Sequence, residues 1–370
     1  MQIERVLREW PAQADSAPEA TFLESERATR MEAPPDQESF DRLARDRCWT
    51  DGLPLVPPTL PRVETRIAAG GYDRDEVIAH VAPAFGAATI ERIAVNAAMA
   101  GCPPEAMPVL IAAIEALCDP GFNLQGIQAT TNPATACIIV NGPVVERLSF
   151  NAGINCLGQG SWANATVGRA LRLVMQNIGG ARPGEMDRAT HGQPGKYSLC
   201  CAENEAANPW EPLHVERGYG PGESTVTVIG VSGTLNMNTH AKDADDLLRV
   251  LADTIAYPTS NDYWFGGEPW LILSPEHAEI LANARLTKAE VKARLWEESK
   301  MAASRLSRKD HTRTQHTRRA ELGDFAPHTH LPVSTKSEDI GLIVAGGAGT
   351  HSVYMPTFGN TRSVTRPIRA

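Results

Sequence analysis

The chain has 370 residues, 42% hydrophobic and 21% charged. That is enough for about two or three domains with a large buried core, and it excludes both a small disulfide scaffold and a wholly disordered chain. Its 44 acidic against 35 basic residues give a net charge of −9, which excludes a protein built to coat nucleic acid or an anionic membrane. No run approaches about 18 apolar residues, and the opening MQIERVLREWPAQADS lacks the basic-then-apolar order of a signal peptide, so a cytoplasmic chain without a membrane partner is expected. The seven cysteines are odd in number and form no Cys-x-x-Cys pair, which points neither to a disulfide framework nor to a zinc ribbon.

In chain order, residues 1–38 are rich in Glu, Asp, Pro and Ala and read as a peripheral arm. SFDRLARDRCW reads as a short helix. DGLPLVPPTLPRV then sets four prolines near Asp51 and stiffens the chain into an extended strap, either a wall of a binding cleft or a cover over the core. ATIERIAVNAAMAGCPPEAMPVLIAAIEALCD holds two helical runs, and ACIIVNGPVVERL is a β-branched strand turning through Asn141 and Gly142 into a helix. WANATVGRALRLVMQNIGG is a helix with a double-glycine stop. STVTVIGVSG is a strand, DADDLLRVLADTIA a helix, and EPWLILSPEHAEILANA a strand entering a helix. LTKAEVKARLWEESKMAASRL opens with Thr287 and Glu290 at capping-box spacing, and DIGLIVAGGAGTHSVYM is a strand entering a glycine turn.

The helix–strand order PEAMPVLIAAIEAL then IIVNGPVVERL matches ADDLLRVLADTIA then LILSPEHAEIL, so an internal αβ repeat is expected. The fold class is α/β, a mostly parallel or mixed sheet with helices on its faces, organised as halves 39–220 and 221–370 packed together. In such folds ligands lie beyond the carboxyl ends of parallel strands, where VNGP, LSPEH and AGGAGTHS sit.

The aperiodic stretch from 179 to 210 is longer than most connections in compact domains, and ordered loops of that length often carry function. Within it His191 is a candidate acid–base residue, because imidazole titrates near neutrality, and Lys196 a candidate anion ligand. Cys200 and Cys201 are candidate nucleophiles if a cation stabilises a thiolate, with Glu203 beside them; the alternative is that the thiols fill a core and Glu203 caps backbone. In the last glycine turn, Gly346, Gly347 and Gly349 could aim N–H groups at a carboxylate, with His351, Ser352 and Arg362 adding donors. That spacing is neither a dinucleotide fingerprint nor a Walker loop. Asn236, Asn238 and His240 alternate after a strand, and Asn164 stands near a helix start, where it either contacts an oxyanion or caps the helix. Histidine pairs 328/330 and 311/316 lack companion ligands, so no metal is expected, and no motif names a cofactor. SRLSRKDHTRTQHTRR carries no aromatic residues and reads as a solvated or anion-steering rim rather than a nucleic-acid site.

DGLPLVPPT, NIGGARPGEMDRATHGQPGKYSLCCAEN and AGGAGTHSVYMPTFGNTRSVTRPI together resemble an uncharacterised bacterial family associated with UGSC-type (seleno)proteins, over roughly residues 40–370. The resemblance implies a role beside a thiol or selenol protein. This chain has no U/C-G-S-C motif and no thioredoxin Cys-x-x-Cys, so it inherits no redox centre. Two functions are expected to compete. One is an enzyme acting on a small carboxylate-type anion by thiol-linked reduction or by C–heteroatom lyase or hydrolase chemistry, with His191 and the 346–352 turn in one site. The other is a non-catalytic partner subunit of a thiol/selenol redox complex. The polar arm and the arginine-bearing tail GNTRSVTRPIRA further suggest a homo-oligomer in which either lies on the neighbour and Arg362 approaches the interface.

Overall fold

The computed structural model describes residue 28 and residues 30–369; most of the expected arm, 1–27 and 29, lies outside the described residues. Helices α1 (Gln37–Asp46) and α2 (Leu60–Gly70) precede the hairpin β1 (Val77–Val81)–β2 (Gly86–Thr89), then α3 (Ile90–Ala100), α4 (Met107–Leu117) and α5 (Leu124–Ala129). Next come β3 (Thr135–Asn141), α6 (Val144–Arg147), α7 (Trp162–Asn177), β4 (Cys200–Ala202), α8 (Leu213–Glu216), β5 (Thr225–Val231) and β6 (Leu235–Asn238). The remainder runs α9 (Ala244–Ile255), α10 (Asn261–Phe265), β7 (Trp270–Leu273), α11 (Pro275–Asn283), α12 (Lys288–Glu298), β8 (Met301–Ala302), α13 (Arg308–Thr317) and α14 (Arg319–Leu322). It closes with β9 (His330–Leu331), β10 (Gly341–Val344), β11 (His351–Met355) and β12 (Val364–Pro367).

The strands build two four-stranded mixed sheets, ordered β12-β5-β3-β4 and β10-β7-β11-β6. Each has one parallel pair, β3 with β4 and β7 with β10, and otherwise antiparallel neighbours. The α/β class therefore holds in its mixed form. Read from opposite edges, the two sheets share one pattern of strand senses. They are also joined: β5–β6 runs antiparallel to β11–β12, with an excursion at 359–363, so each of these two segments gives a strand to both sheets. The crossing is the Val231–Thr357 bridge, where Ser232 N donates to Pro356 O at 2.8 Å and Phe358 N to Gly230 O at 3.0 Å.

Strand alternation separates the layers. Along β3, Ile138 and Val140 face a helix-lined core with α3, α4 and α7, while Cys137 and Ile139 face the other sheet. Along β7, Trp270 and Ile272 meet them across the intersheet layer, and Leu271 and Leu273 pack outward on the second set of helices. The result is helices, sheet, sheet, helices, with three apolar layers between them.

Three expectations change. Cys200–Ala202 is a strand inside the stretch read as an unbroken loop; three residues are too few to show a period, and both faces of this strand are buried. The helix opened by Thr287 has its capping box but stops at Glu298, where Met301–Ala302 joins a two-stranded sheet. The carboxyl-terminal tail does not need a neighbour: β12 pairs with β5 of its own chain, Arg366 bonds Asp119, and Arg369 Nη2 lies 3.6 Å from Glu115.

Candidate functional site

The loop at 181–197 folds against α7 and walls a polar cleft of about 530 Å³. Arg172 anchors it from the helix. Its Nε donates to the Lys196 carbonyl at 2.8 Å and its Nη2 to Thr135 Oγ1 at 2.7 Å, which leaves Nη1 without an acceptor among the described residues. Burial works against the charge of Arg172, and Asp187 and Asp51 support it. Lys196 Nζ donates to both oxygens of Asp187, at 2.8 and 2.6 Å; burial pulls the lysine down and Asp187 holds it up. Gln193 clamps the loop to the Pro133 and Val231 carbonyls, and Gln176 reaches the Thr50 carbonyl. Asp51 meets Arg169 in a two-toothed pair, Nε to Oδ2 at 2.8 Å and Nη2 to Oδ1 at 2.9 Å, which fixes the proline strap on the helix. His191 lies exposed on the wall of this cleft.

A second group meets at the end of the other sheet. His351 pairs with Asn238 across β11 and β6, and its Nδ1 lies 3.1 Å from Asn236 Oδ1. Asn236 and Asn238 are exposed on either side of buried Met237, as the alternation implied, and His240 is exposed just beyond. Gly346 and Gly349 take positive φ, and Gly346 N is already bonded to Ala152 O. Ser352 turns inward: its hydroxyl accepts from Ser274 N and bonds His277 Nδ1 at 2.7 Å, while His277 Nε2 donates to the Thr239 carbonyl. Burial lowers the imidazole, so this buried pair is a neutral structural clip.

The other candidates stand apart. Cys200 packs in the helix-lined core and Cys201 in the intersheet layer. Burial pushes the Cys200 thiol far up, and the hydrogen bond between Cys201 and Cys156 together with burial does the same to the Cys201 thiol, so neither presents a thiolate. Glu203 is buried, accepting from Asn141, Asn208 and the Leu213 N–H, and burial raises its carboxyl. Asn164 spends its oxygen on Asn151 N and Ser161 Oγ and its amide on the Asn151 and Cys156 carbonyls; the N-cap of α7 is Ser161. Arg362 reaches the Gly266 carbonyl rather than the glycine turn.

The single site expected for His191 and the 346–352 turn is not formed. Arg172 grips β3 at Thr135, whereas the turn abuts the strand's other end, where Asn204 N donates to Val344 O at 2.7 Å. Seven residues of strand separate these ends by about 20 Å. The loop thus supplied His191 and Lys196, but Arg172, Asp51 and Asp187 were missed. One signal was readable: Arg172 shares a helix face with Gly168, Leu171 and Met175, and a cation on an apolar stripe needs a buried acceptor.

Among the described residues no group of three or more His, Cys, Asp or Glu is placed to hold a metal ion, and no single helix is long and apolar enough to cross a membrane. No protein family, curated protein or solved structure matches the chain.

Proposed function

We propose that the chain is an enzyme that binds a small carboxylate-type anion in the cleft between α7 and the 181–197 loop, with His191 moving a proton. The observation that carries this reading is the unspent Nη1 of a buried arginine in a cleft that also holds Lys196 and His191. A guanidinium held by two fixed acceptors is a preorganised carboxylate ligand. With the cysteines of β4 buried, proton-transfer chemistry, a C–heteroatom lyase or hydrolase step, fits better than a thiol-linked one.

Calorimetric titration of small mono- and dicarboxylates into the full chain tests it. Arg172→Gln is expected to weaken the binding acid about tenfold or more, the scale of one charged hydrogen bond. His191→Ala is expected to leave binding within about threefold and to lower turnover about 100-fold or more. Binding indifferent to Arg172→Gln in a variant that still melts cooperatively refutes the assignment.

A second reading, docking onto a partner protein or a second copy, is favoured by Ile154 at 81% and Trp162 at 71% exposure, which rim a groove with Pro103 and Leu148. Isolated large apolar side chains are ordinary, but two that rim one groove mark a contact surface. Ile154→Asp is expected to halve the solution mass by light scattering if this surface joins two copies, with carboxylate binding unchanged.

A further inference from the structure

A second cavity, of about 380 Å³, lies on the other side of the wall made by the 49–51 turn and the end of α7. Trp49 faces it while Asp51 faces the polar cleft; Arg182 faces it while Pro183 faces the cleft. Its lining is mostly apolar, with Phe40 from α1, Pro58 from the proline strap, and Val95 and Met99 from α3. The strap lines this cavity through Pro57 and Pro58 and also covers the core, in which its Leu55 is buried.

The polar end of this cavity is unfinished. Asn177 donates its amide to the Trp49 carbonyl and to Asn96 Oδ1, but its own buried Oδ1 accepts nothing from the described residues. Among the described residues the buried Nε of Arg182 finds no acceptor and Arg182 makes no ion pair. Glu91, the cavity's carboxylate, is already occupied: Oε1 by Arg74 and Oε2 by the Ala28 N–H. Arg30 adds a second cation at the rim. Buried polar atoms are nearly always paired, so the buried Nε of this half-buried arginine is an exception that asks for an acceptor. An occupant with an anionic head and an apolar body supplies the acceptor that the Arg182 Nε lacks and fills the space between the apolar walls, whereas Asn177 Oδ1, itself an acceptor, takes no part in holding an anion.

We infer that this cavity is a binding site, separate from the polar cleft, for a monocarboxylate with an apolar body, the head on Arg182 and the body among Trp49, Val95 and Met99. The size and mainly apolar lining are those of small-molecule sites in general.

Octanoate is the probe, with octan-1-ol as its uncharged counterpart, titrated calorimetrically into the full chain. Saturable binding of one octanoate, at least tenfold tighter than the alcohol, is expected. Arg182→Gln is expected to bring octanoate down to the alcohol's affinity, and Val95→Phe, which fills the body of the cavity, to abolish both. Arg172→Gln, in the other cleft, is expected to leave octanoate unchanged, so loss of the proposed catalytic reading and loss of this one are distinguishable. A thermal melt of each variant identifies those that still fold, and either Arg182→Gln or Val95→Phe alone decides the matter. No octanoate binding by the full chain, binding indifferent to whichever of these two variants folds, or binding lost in Arg172→Gln overturns the inference.

Discussion

Gly341→Ala is expected to destabilise the chain by about 3 kcal/mol, at the top of the range for overpacking a core, and to lower its melting temperature by about 4 °C. Gly341 stands opposite Trp270 in the parallel register of β10 and β7. A Cβ at Gly341 would lie 2.1 Å from Trp270 Cδ2 and 2.3 Å from Cε2. The ring has no retreat: it is buried in the intersheet layer, with the Arg217 guanidinium 5.7 Å from its centroid. If ring contact is the cause, shrinking the ring must relieve it. Trp270→Leu alone leaves a cavity, yet the double variant is expected to lose at least about 1 kcal/mol less than the sum of the singles. Urea unfolding of all four proteins measures this, and strict additivity would show that the cost of Ala arises elsewhere.

The same pair shows what the sequence discloses. WLIL and GLIV were legible as strands because short apolar runs bounded by turn residues need burial on both faces, and β3 and β5 were legible for that reason. Strands β4 and β12 were not: the first is three residues long, and the second, VTRP, belongs to an arginine-bearing tail with few apolar residues that reads as lying on a neighbouring subunit. Both are strands only because a distant partner offers them an edge, and pairing between residues such as Val228 and Val364 leaves no local trace. The candidate site divides along the same line. His191 and Lys196 were found because a long aperiodic loop is visible in one dimension, whereas Arg172 on a helix and Asp51 on the proline strap reach the cleft through tertiary packing. Cys200 and Cys201 had the residue types of a reactive site but not its surroundings, since depth is a property of the fold and not of neighbours in sequence. Arg362 likewise found the nearer carbonyl of Gly266.

Asp262 sets the second large effect, and it depends on pH. Its carboxylate is fully buried beside the ribbon crossing, taking hydrogen bonds from the Thr357 hydroxyl and N–H, from Ser260 Oγ and from the Tyr354 hydroxyl. Those donors favour the charged form, but loss of water outweighs them and the group is pushed up to about 6 from an ordinary 3.8. The folded chain therefore holds a proton that the unfolded chain has released between these two values. Stability from this group is full below about pH 4, declines as pH rises through the window, and levels off above pH 6. Between pH 4 and pH 7 the wild type is expected to lose about 2 kcal/mol on this account. Asp262→Asn carries a fixed cost of its own, because an amide nitrogen replacing Oδ2 would face the Thr357 N–H, but that cost does not titrate. The wild type's advantage over Asp262→Asn should therefore shrink by about 2 kcal/mol from pH 4 to pH 7 in paired urea unfolding curves, the other titrating groups cancelling in the difference. An advantage that stays constant or grows with pH would mean that the four donors, not burial, govern this carboxyl, and that the crossing between the two sheets is held by a carboxylate already charged at acid pH.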